Sequence, residues 1–287
     1  MHQSRLTPYL FLFPGLLLLV LTVFYPAFQS FLLSFQEFGY NLTVAPTWVG
    51  LSNFVDLKQD PIFWKTLGQT LLYLIVVVPI LAIASLLLAI LVNQKLPGIT
   101  WFRGAFYTPV VISMVVAGIA WKAVYNSQGI LNQLLGYLGQ EPIGWLTDPQ
   151  LALFSVMVVT IWKGLGYYMV IYLAGLQSLP QELYEAAAID GADGWQSHLH
   201  LTFPLMKPYL FLVSVVSAIA ATKVFEEVFI LTKGEPNSSS KTIVYYLYEQ
   251  GFQYGKYNYA CAIGLVLFLG ILVLSLINLK LSDRYSP

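Results

Sequence analysis

Three groups of residues in this chain combine side chains and spacings that could do chemistry. Lys223, Glu226 and Glu227 stand together in an otherwise uncharged run from Pro208 to Leu231. Spacings of three and four would place all three on one face of a helix. A charged side chain at the centre of a bilayer costs about 2.5–3.5 kcal/mol on insertion scales, so such groups face a cavity or a partner. Two readings follow: a salt-bridge cluster near the membrane edge, or a polar wall along a solute path. The second group is Trp162-Lys163-Gly164-Leu165-Gly166-Tyr167-Tyr168, which joins aromatics, one cation and two glycines. Its glycines would let a ligand or a backbone approach closely. It reads either as aromatic faces for the C–H surface of a ring-shaped solute or as a helix-packing site flanked by lipid-facing aromatics. The third group is an acidic, alanine-rich stretch around Glu185.

Enzymatic patterns are missing. No G-x-x-x-x-G-K-[ST] phosphate loop occurs, and no G-x-S-x-G or H-E-x-x-H motif. His2, His198 and His200 all fall outside the apolar runs. Cys261 is the only cysteine, so no internal disulfide can form, and a small apolar role in a helix is expected.

The elements that must carry these groups follow from composition. The chain has 287 residues, 57% hydrophobic and 10% charged, with a mean hydropathy of +0.70. Soluble domains carry about 25% charged residues, so lipid is the main solvent here. The net charge of +0 gives no basic surface for nucleic acid. Charge-free stretches run from Leu6 to Gln36, Thr66 to Gln94, Gly104 to Trp121 and Tyr257 to Leu279, and Lys163 is the only charge from Pro149 to Gln181. Each stretch reaches the roughly 20 residues a spanning helix needs. Backbone groups in lipid must be paired within the segment, and unbroken apolar runs lack the alternation of barrel strands. The expectation is an all-α membrane protein of six transmembrane helices near 9–35, 67–93, 104–125, 151–176, 209–231 and 258–281. Pro14, Pro26, Pro79 and Pro109 lie in or near them as tolerated kinks. The first run is too long for a cleaved leader and lacks an A-x-A-like site, so it is read as retained.

Six spans put both termini on one side. Arg5, Lys95, Arg103, Lys207, Lys280 and Arg284 belong to that side; Lys58, Lys65, Lys122, Lys233, Lys241 and Lys256 belong to the other. The count is even, although all three arginines sit with the termini, a lean toward cytoplasmic termini.

Residues 177–208 form a long polar loop on the terminal side and read as two short helices. Ser178 with Gln181 fits a capping box, Pro180 fits the first turn, and Glu182 suits the N-terminal dipole. Ala186 to Ala188 propagate the helix without bulk, Gly191 supplies the positive φ that ends it, and Asp193 with Gln196 restarts it before Pro204. Four acids, with no Lys or Arg between Pro180 and Met206, would be repelled by anionic lipid. Docking into a partner therefore suits this loop better than lying on headgroups.

Glu185-Ala186-Ala187, then Gly191, then Leu201-Thr202-Phe203-Pro204 resembles the EAA motif of binding-protein-dependent ABC importer permeases, with Leu for Ile and Phe for Leu near its end. Phe13-Pro14, Tyr25-Pro26, the 49–54 stretch Val-Gly-Leu-Ser-Asn-Phe, Gly129-Ile130-Leu131-Asn132, Trp145 to Pro149, and Leu231 to Pro236 resemble landmarks of the sugar permease branch, which includes maltose and glycerol-phosphate importer permeases. Glu235 stands where that branch usually has Gly.

The resemblance implies a single type I ABC importer permease domain with a MetI-like core over 1–287. It sits in the bacterial inner membrane with both termini cytoplasmic. Glu185, Ala186, Ala187, Asp190 and Gly191 would be the ATPase-coupling residues, seated in a cleft of a separate ATPase. The implied partners are a second permease, a paralogue; two ATPase subunits carrying ATP and Mg; an extracytoplasmic solute-binding protein; and the lipid bilayer. No cofactor is expected in this chain. Asp56, Asp60, Glu141, Asp148 and Glu249 lie on loops facing the binding protein, or are simply solvated charges. The branch's sugar site maps onto Trp162, Gly164, Tyr167 and Ser217. Its asparagines are replaced here by Ala221 and Val224, with Lys163, Thr222, Lys223 and Glu226 as the remaining solute-binding candidates. The expected spans contain no Arg, which favours a neutral solute over glycerol phosphate. The rival reading is an ion-coupled secondary transporter or channel that uses Lys223 with Glu226 and Glu227 as a relay.

Overall fold

The computed structural model describes residues 7–38, 46–94, 96–192 and 194–282. His2, Arg5, Lys95, Asp193 and Arg284 lie outside the described residues, as does the side chain of Lys280. The described chain is mostly helical, as lipid demands of backbone polar groups. It divides into two compact units, residues 1–64 with 246–270, and residues 65–245 with 271–287.

The first unit opens with α1 (Thr7–Leu19), a π-helical turn at Val20–Phe24 and α2 (Tyr25–Leu33). The segment Tyr9–Leu33 is apolar enough to cross a membrane, and none of its apolar window is buried within the chain. A two-stranded antiparallel ribbon follows, β1 (Gln36–Glu37) against β2 (Thr47–Trp48), then α3 (Ser52–Gln59). Side-chain amides tie these pieces together. Asn53 Nδ2 donates to the carbonyls of Ser34 and Gln36, both at 2.9 Å. Asn258 Nδ2 donates to Leu33 O at 2.9 Å, while its Oδ1 accepts from the Phe38 N–H at 3.1 Å. Asp60 caps α4 (Pro61–Val92), its Oδ1 accepting from Ile62 N at 2.8 Å. Its other oxygen accepts from the hydroxyls of Tyr246 and Tyr259.

The second unit holds the main core. α4 is followed by α5 (Ile99–Val111), α6 (Met114–Tyr125), α7 (Ile130–Tyr137), α8 (Ala152–Ser178), α9 (Gln181–Ile189) and α10 (Trp195–Ser197). A π-helical turn at His198–Thr202 leads into α11 (Phe203–Leu205) and α12 (Lys207–Thr222). The chain then forms α13 (Glu226–Leu231) and α14 (Ile243–Tyr248); the π-helical turn at Glu249–Gln253 and α15 (Tyr257–Ser282) up to residue 270 belong to the first unit. Tyr73, Val77 and Leu86 of α4 pack with Val156, Met169 and Tyr172 of α8 in a fully buried centre. Gly166 lets α5 lie directly on α8: a Cβ there would collide with the Phe106 carbonyl. This close approach is the helix-packing role among the alternatives read for that glycine.

Among the described residues, four helices are long and apolar enough to cross a membrane, and up to six if each of two bent pairs counts as one span. One bent pair covers the third expected span; the other joins the end of the 177–208 loop to the first part of the fifth. The third breaks by 100° between Val111 and Met114, where Ile112 is extended and Ser113 caps α6 by accepting from Val116 N. The second pair bends by 64° where α11 meets α12, ahead of the fifth expected span, and that span is itself interrupted after Thr222. Outside the membrane path, Asn132 organises the loop around Trp145. It donates to the carbonyls of Asn126 and Ile143 and accepts from Ile143 N and Trp145 Nε1.

Candidate coupling loop and membrane cavity

The loop after α8 is built as an angled pair of short helices. α8 continues through Ser178, whose Oγ donates to Gly175 O at 2.7 Å. The expected capping box is therefore corrected: Ser178 ends one helix instead of starting the next. The reason is Pro180, which drives the preceding Leu179 into extended backbone at φ −74 and ψ 134. Pro180 itself occupies the N-cap position of α9, and Gln181 reaches forward to Glu185, with Nε2 to Oε1 at 3.0 Å. Glu182 lies in the first turn, at the positive end of the helix dipole.

α9 ends in a Schellman motif. Ala192 N donates to Ala187 O at 2.8 Å and Gly191 N to Ala188 O at 3.1 Å. Gly191 adopts φ +83, as that motif requires. The second helical piece is fastened back to α9 through one hydroxyl: Thr202 Oγ1 lies 3.0 Å from both Tyr184 OH and His198 Nδ1. Trp195 packs edge-on against His198 and Phe203. The result is a stiff elbow. Glu185, Ala186, Asp190 and Gly191 are exposed on it and Ala187 is half-buried. Ile189, which sequence reasoning missed, is 87% exposed. Leu183, Ala186 and Ile189 recur every three residues, so they form an uncovered apolar stripe beside Glu182 and Glu185.

The second site is a cavity of about 370 Å³ within the second unit. Of the predicted solute residues, Lys163, Gly164, Ser217, Lys223 and Glu226 line it. Trp162, Tyr167 and Thr222 do not. Trp162 packs edge-on against Trp121 at 5.6 Å, Tyr167 is 45% exposed on another face, and Thr222 is buried with its Oγ1 donating to Ile219 O at 2.9 Å. Tyr73, Thr160, Tyr168, Phe225 and Glu227 also line it, with aliphatic side chains between them. Tyr73 and Thr160 are bonded through their hydroxyls. The readable signal for both was a hydroxyl inside an apolar run.

Lys163 has a definite task. Its Nζ donates to Pro109 O and Val110 O at 3.2 Å and to Ile112 O at 2.7 Å. These carbonyls are released where α5 breaks, and lipid offers them no partner. A cation there also complements the negative end of the α5 dipole. On the facing wall, the Glu227 carboxyl is hydrogen-bonded by Thr160 and feels the charges of Glu226 and Lys163.

The expected single face bearing Lys223, Glu226 and Glu227 is also corrected. The helix stops at Lys223 (φ −102, ψ 11), passes through Phe225 at φ −140, and restarts at Glu226. The break places both glutamates in the first turn of α13, where carboxylates favour the free N–H groups. Thr242 donates to the freed Val224 carbonyl at 3.0 Å. The interrupted α12–α13 segment thus borders the cavity, the setting in which irregular backbone is tolerated at membrane depth. Among the described residues no cluster of His, Cys, Asp and Glu could hold a metal ion.

Asp60 is the most perturbed acid outside the spans. Partial burial pushes its pKa up, but hydrogen bonds from Tyr246, Tyr259 and the N–H groups of Ile62 and Phe63 outweigh burial and hold the carboxyl below its usual 3.8. Burial, then the bond to Asp60, pushes the Tyr246 hydroxyl up.

Long apolar helices, a cavity among them lined by charged side chains, and a structured elbow after α8 define a membrane transport subunit. Residues 61–286 match the family described as binding-protein-dependent transport system inner membrane component, and the chain belongs to that family. It is 36% identical to the arabinooligosaccharides transport system permease protein AraP of Bacillus subtilis (strain 168), covering 99% of this chain and 91% of that one. It is 34% identical to the lactose transport system permease protein LacF of Rhizobium radiobacter, over 94% and 92% of the two chains. Among solved structures, a chain of a bacterial ABC transporter involved in the import of the acidic polysaccharide alginate superposes with a TM-score of 0.87 at 25% identity, covering 98% of this chain and 96% of that one. The MetNI methionine ABC transporter matches in fold, with a TM-score of 0.56 at 14% identity over 79% and 99% of the chains.

Proposed function

We propose that this chain is the permease half of an ATP-driven importer for a sugar or sugar-like solute. The observation that carries the reading is the exposed α9 elbow, whose apolar stripe of Leu183, Ala186 and Ile189 is left uncovered beside Glu182 and Glu185. The elbow follows α8 directly, so force applied to it is delivered to the wall of the cavity. Glu185 would meet polar or basic groups of the ATPase, Ala186 and Ala187 would allow close approach, and Asp190 with Gly191 would hold the bend.

The chain has no phosphate cradle, so ATP and Mg are assigned to two separate ATPase subunits. A second permease subunit, a paralogue, would complete the pore, and an extracytoplasmic binding protein would deliver solute. The elbow and both termini then lie in the cytoplasm, with the chain in the bacterial inner membrane. The saccharide-named relatives support the solute class. Within the cavity, Lys163 is assigned to holding the α5 break, while Gly164, Ser217, Lys223 and Glu226 are assigned to the solute. ATP closure of the ATPases would carry the elbows inward and open the cavity to the binding protein; hydrolysis would reset it.

Purification from native membrane tests this reading. The expected result is a co-purifying ATPase whose hydrolysis rises with a saccharide-loaded binding protein. Transport driven by an ion gradient, with no ATPase attached, would refute it in favour of the secondary-transport reading.

A further inference from the structure

The first unit contains a larger cavity that the proposed transport cycle does not use. It is an open cavity of about 1100 Å³ bordered by the β1–β2 ribbon, α3 and the segment from α14 into α15. The loops that form it are among those expected from the sequence on the binding-protein side. Its lining has two layers. The inner layer is rigid: Asn53 and Asn258 are buried and bonded to backbone, and Asp60 is gripped by two tyrosine hydroxyls. The outer layer is accessible: Tyr254 is 61% exposed and Tyr257 39%, and Glu37 and Asp56 are exposed on the facing ribbon and helix.

Aromatic faces suit the C–H surfaces of pyranose and furanose rings, and carboxylates accept hydrogen bonds from vicinal hydroxyls. A pre-set polar back wall lowers the ordering needed on binding. The charge balance is the discriminating feature. Three carboxylates (Glu37, Asp56 and Asp60) line the cavity against one cation (Lys256), an excess of negative charge. A saccharide bearing carboxylates would meet like charge on entering.

We propose that this cavity is a receiving site for uncharged saccharides, distinct from the membrane cavity, and that its carboxylates reject uronate-containing ones. The proposal rests on the reading of the chain as a saccharide importer, and it assigns a selectivity that reading lacks.

The test uses the assembled importer in lipid nanodiscs without its binding protein. Tyr254→Cys is placed in a Cys261→Ser background, since Cys261 is the only native cysteine. Reaction of the new thiol with a membrane-impermeant maleimide is followed while arabinotriose, maltotriose, lactose or trigalacturonate is titrated in. At least one neutral saccharide is expected to protect the thiol, at a concentration about tenfold below that needed for trigalacturonate. Adding Glu37→Lys with Asp56→Lys is expected to abolish or reverse that preference. Protection by none of the neutral saccharides, equal protection by the acid, or an unchanged preference in the double variant overturns the proposal. ATP hydrolysis by the same preparation keeps the two readings apart. If it still rises with saccharide-loaded binding protein, the importer reading stands and only the receiving site falls.

Discussion

Replacing Gly191 probes the elbow with little collateral damage. A Cβ at this position meets nothing within 4 Å, so substitution adds no clash. The whole effect lies in the backbone, which sits at φ +83. Holding an L-residue with a side chain in the left-handed region costs about 1–2 kcal/mol. With about 1.4 kcal/mol per factor of ten, Gly191→Ala should lower the ratio of bent to unbent elbow about 5- to 30-fold. Gly191→Val should do worse, because β-branching fits positive φ poorly. Gly191→Asn should lose least, because asparagine tolerates the left-handed region. The assay is the apparent affinity of the purified permease pair for its ATPase, read alongside saccharide-stimulated hydrolysis in proteoliposomes. The order Gly, Asn, Ala, Val is the expected result. Wild-type affinity in the alanine variant, or asparagine no better than valine, would show that the bend is not what the ATPase reads.

Other perturbations address the remaining features. Glu185→Lys should abolish uptake while leaving the subunit inserted, measured by transport and by membrane fractionation of the same cells; normal uptake removes Glu185 from the coupling role. Lys163→Met leaves three α5 carbonyls unpaired and should destabilise the chain by about 2–4 kcal/mol, read as a fall in unfolding temperature in detergent; an unchanged midpoint would mean the break is held otherwise. Asp60 has a folded pKa below its unfolded 3.8, so its stabilisation is present above that pH and is lost as pH falls through the lower folded value. The stability gap between wild type and Asp60→Ala, about 0.5–2 kcal/mol for a lost cap, should therefore be full at neutral pH and close in strong acid. A gap that widens on acidification contradicts this assignment.

Helical spans could be read from gaps between charges because lipid penalises charge and leaves few alternatives to helix. The breaks inside two spans were harder to see. Pro109 marked a kink, but a full interruption needed Lys163, more than fifty residues away, to satisfy the released carbonyls. In the fifth span, Lys223, Glu226 and Glu227 suggested one face because i, i+3, i+4 logic assumes the helix continues. Their acidity reports instead on a new helix start at Glu226. Ser178 failed as a cap for a local reason: Leu179, set extended by Pro180, lies between it and α9. Gly191 was legible because few residues other than glycine accept its backbone angle. Glu37 and Asp56 could not be joined to Tyr254 and Tyr257 from sequence, since about two hundred residues separate them.

The Lys163 clasp carries a mechanical consequence. A proline-containing helix that stops in mid-membrane would ordinarily swing as a loose flap. Here its free end is tethered at three points to α8, the same rod that continues into the α9 elbow. A push on the elbow should therefore drag the tip of α5 with it, so that floor and gatepost shift in a single stroke.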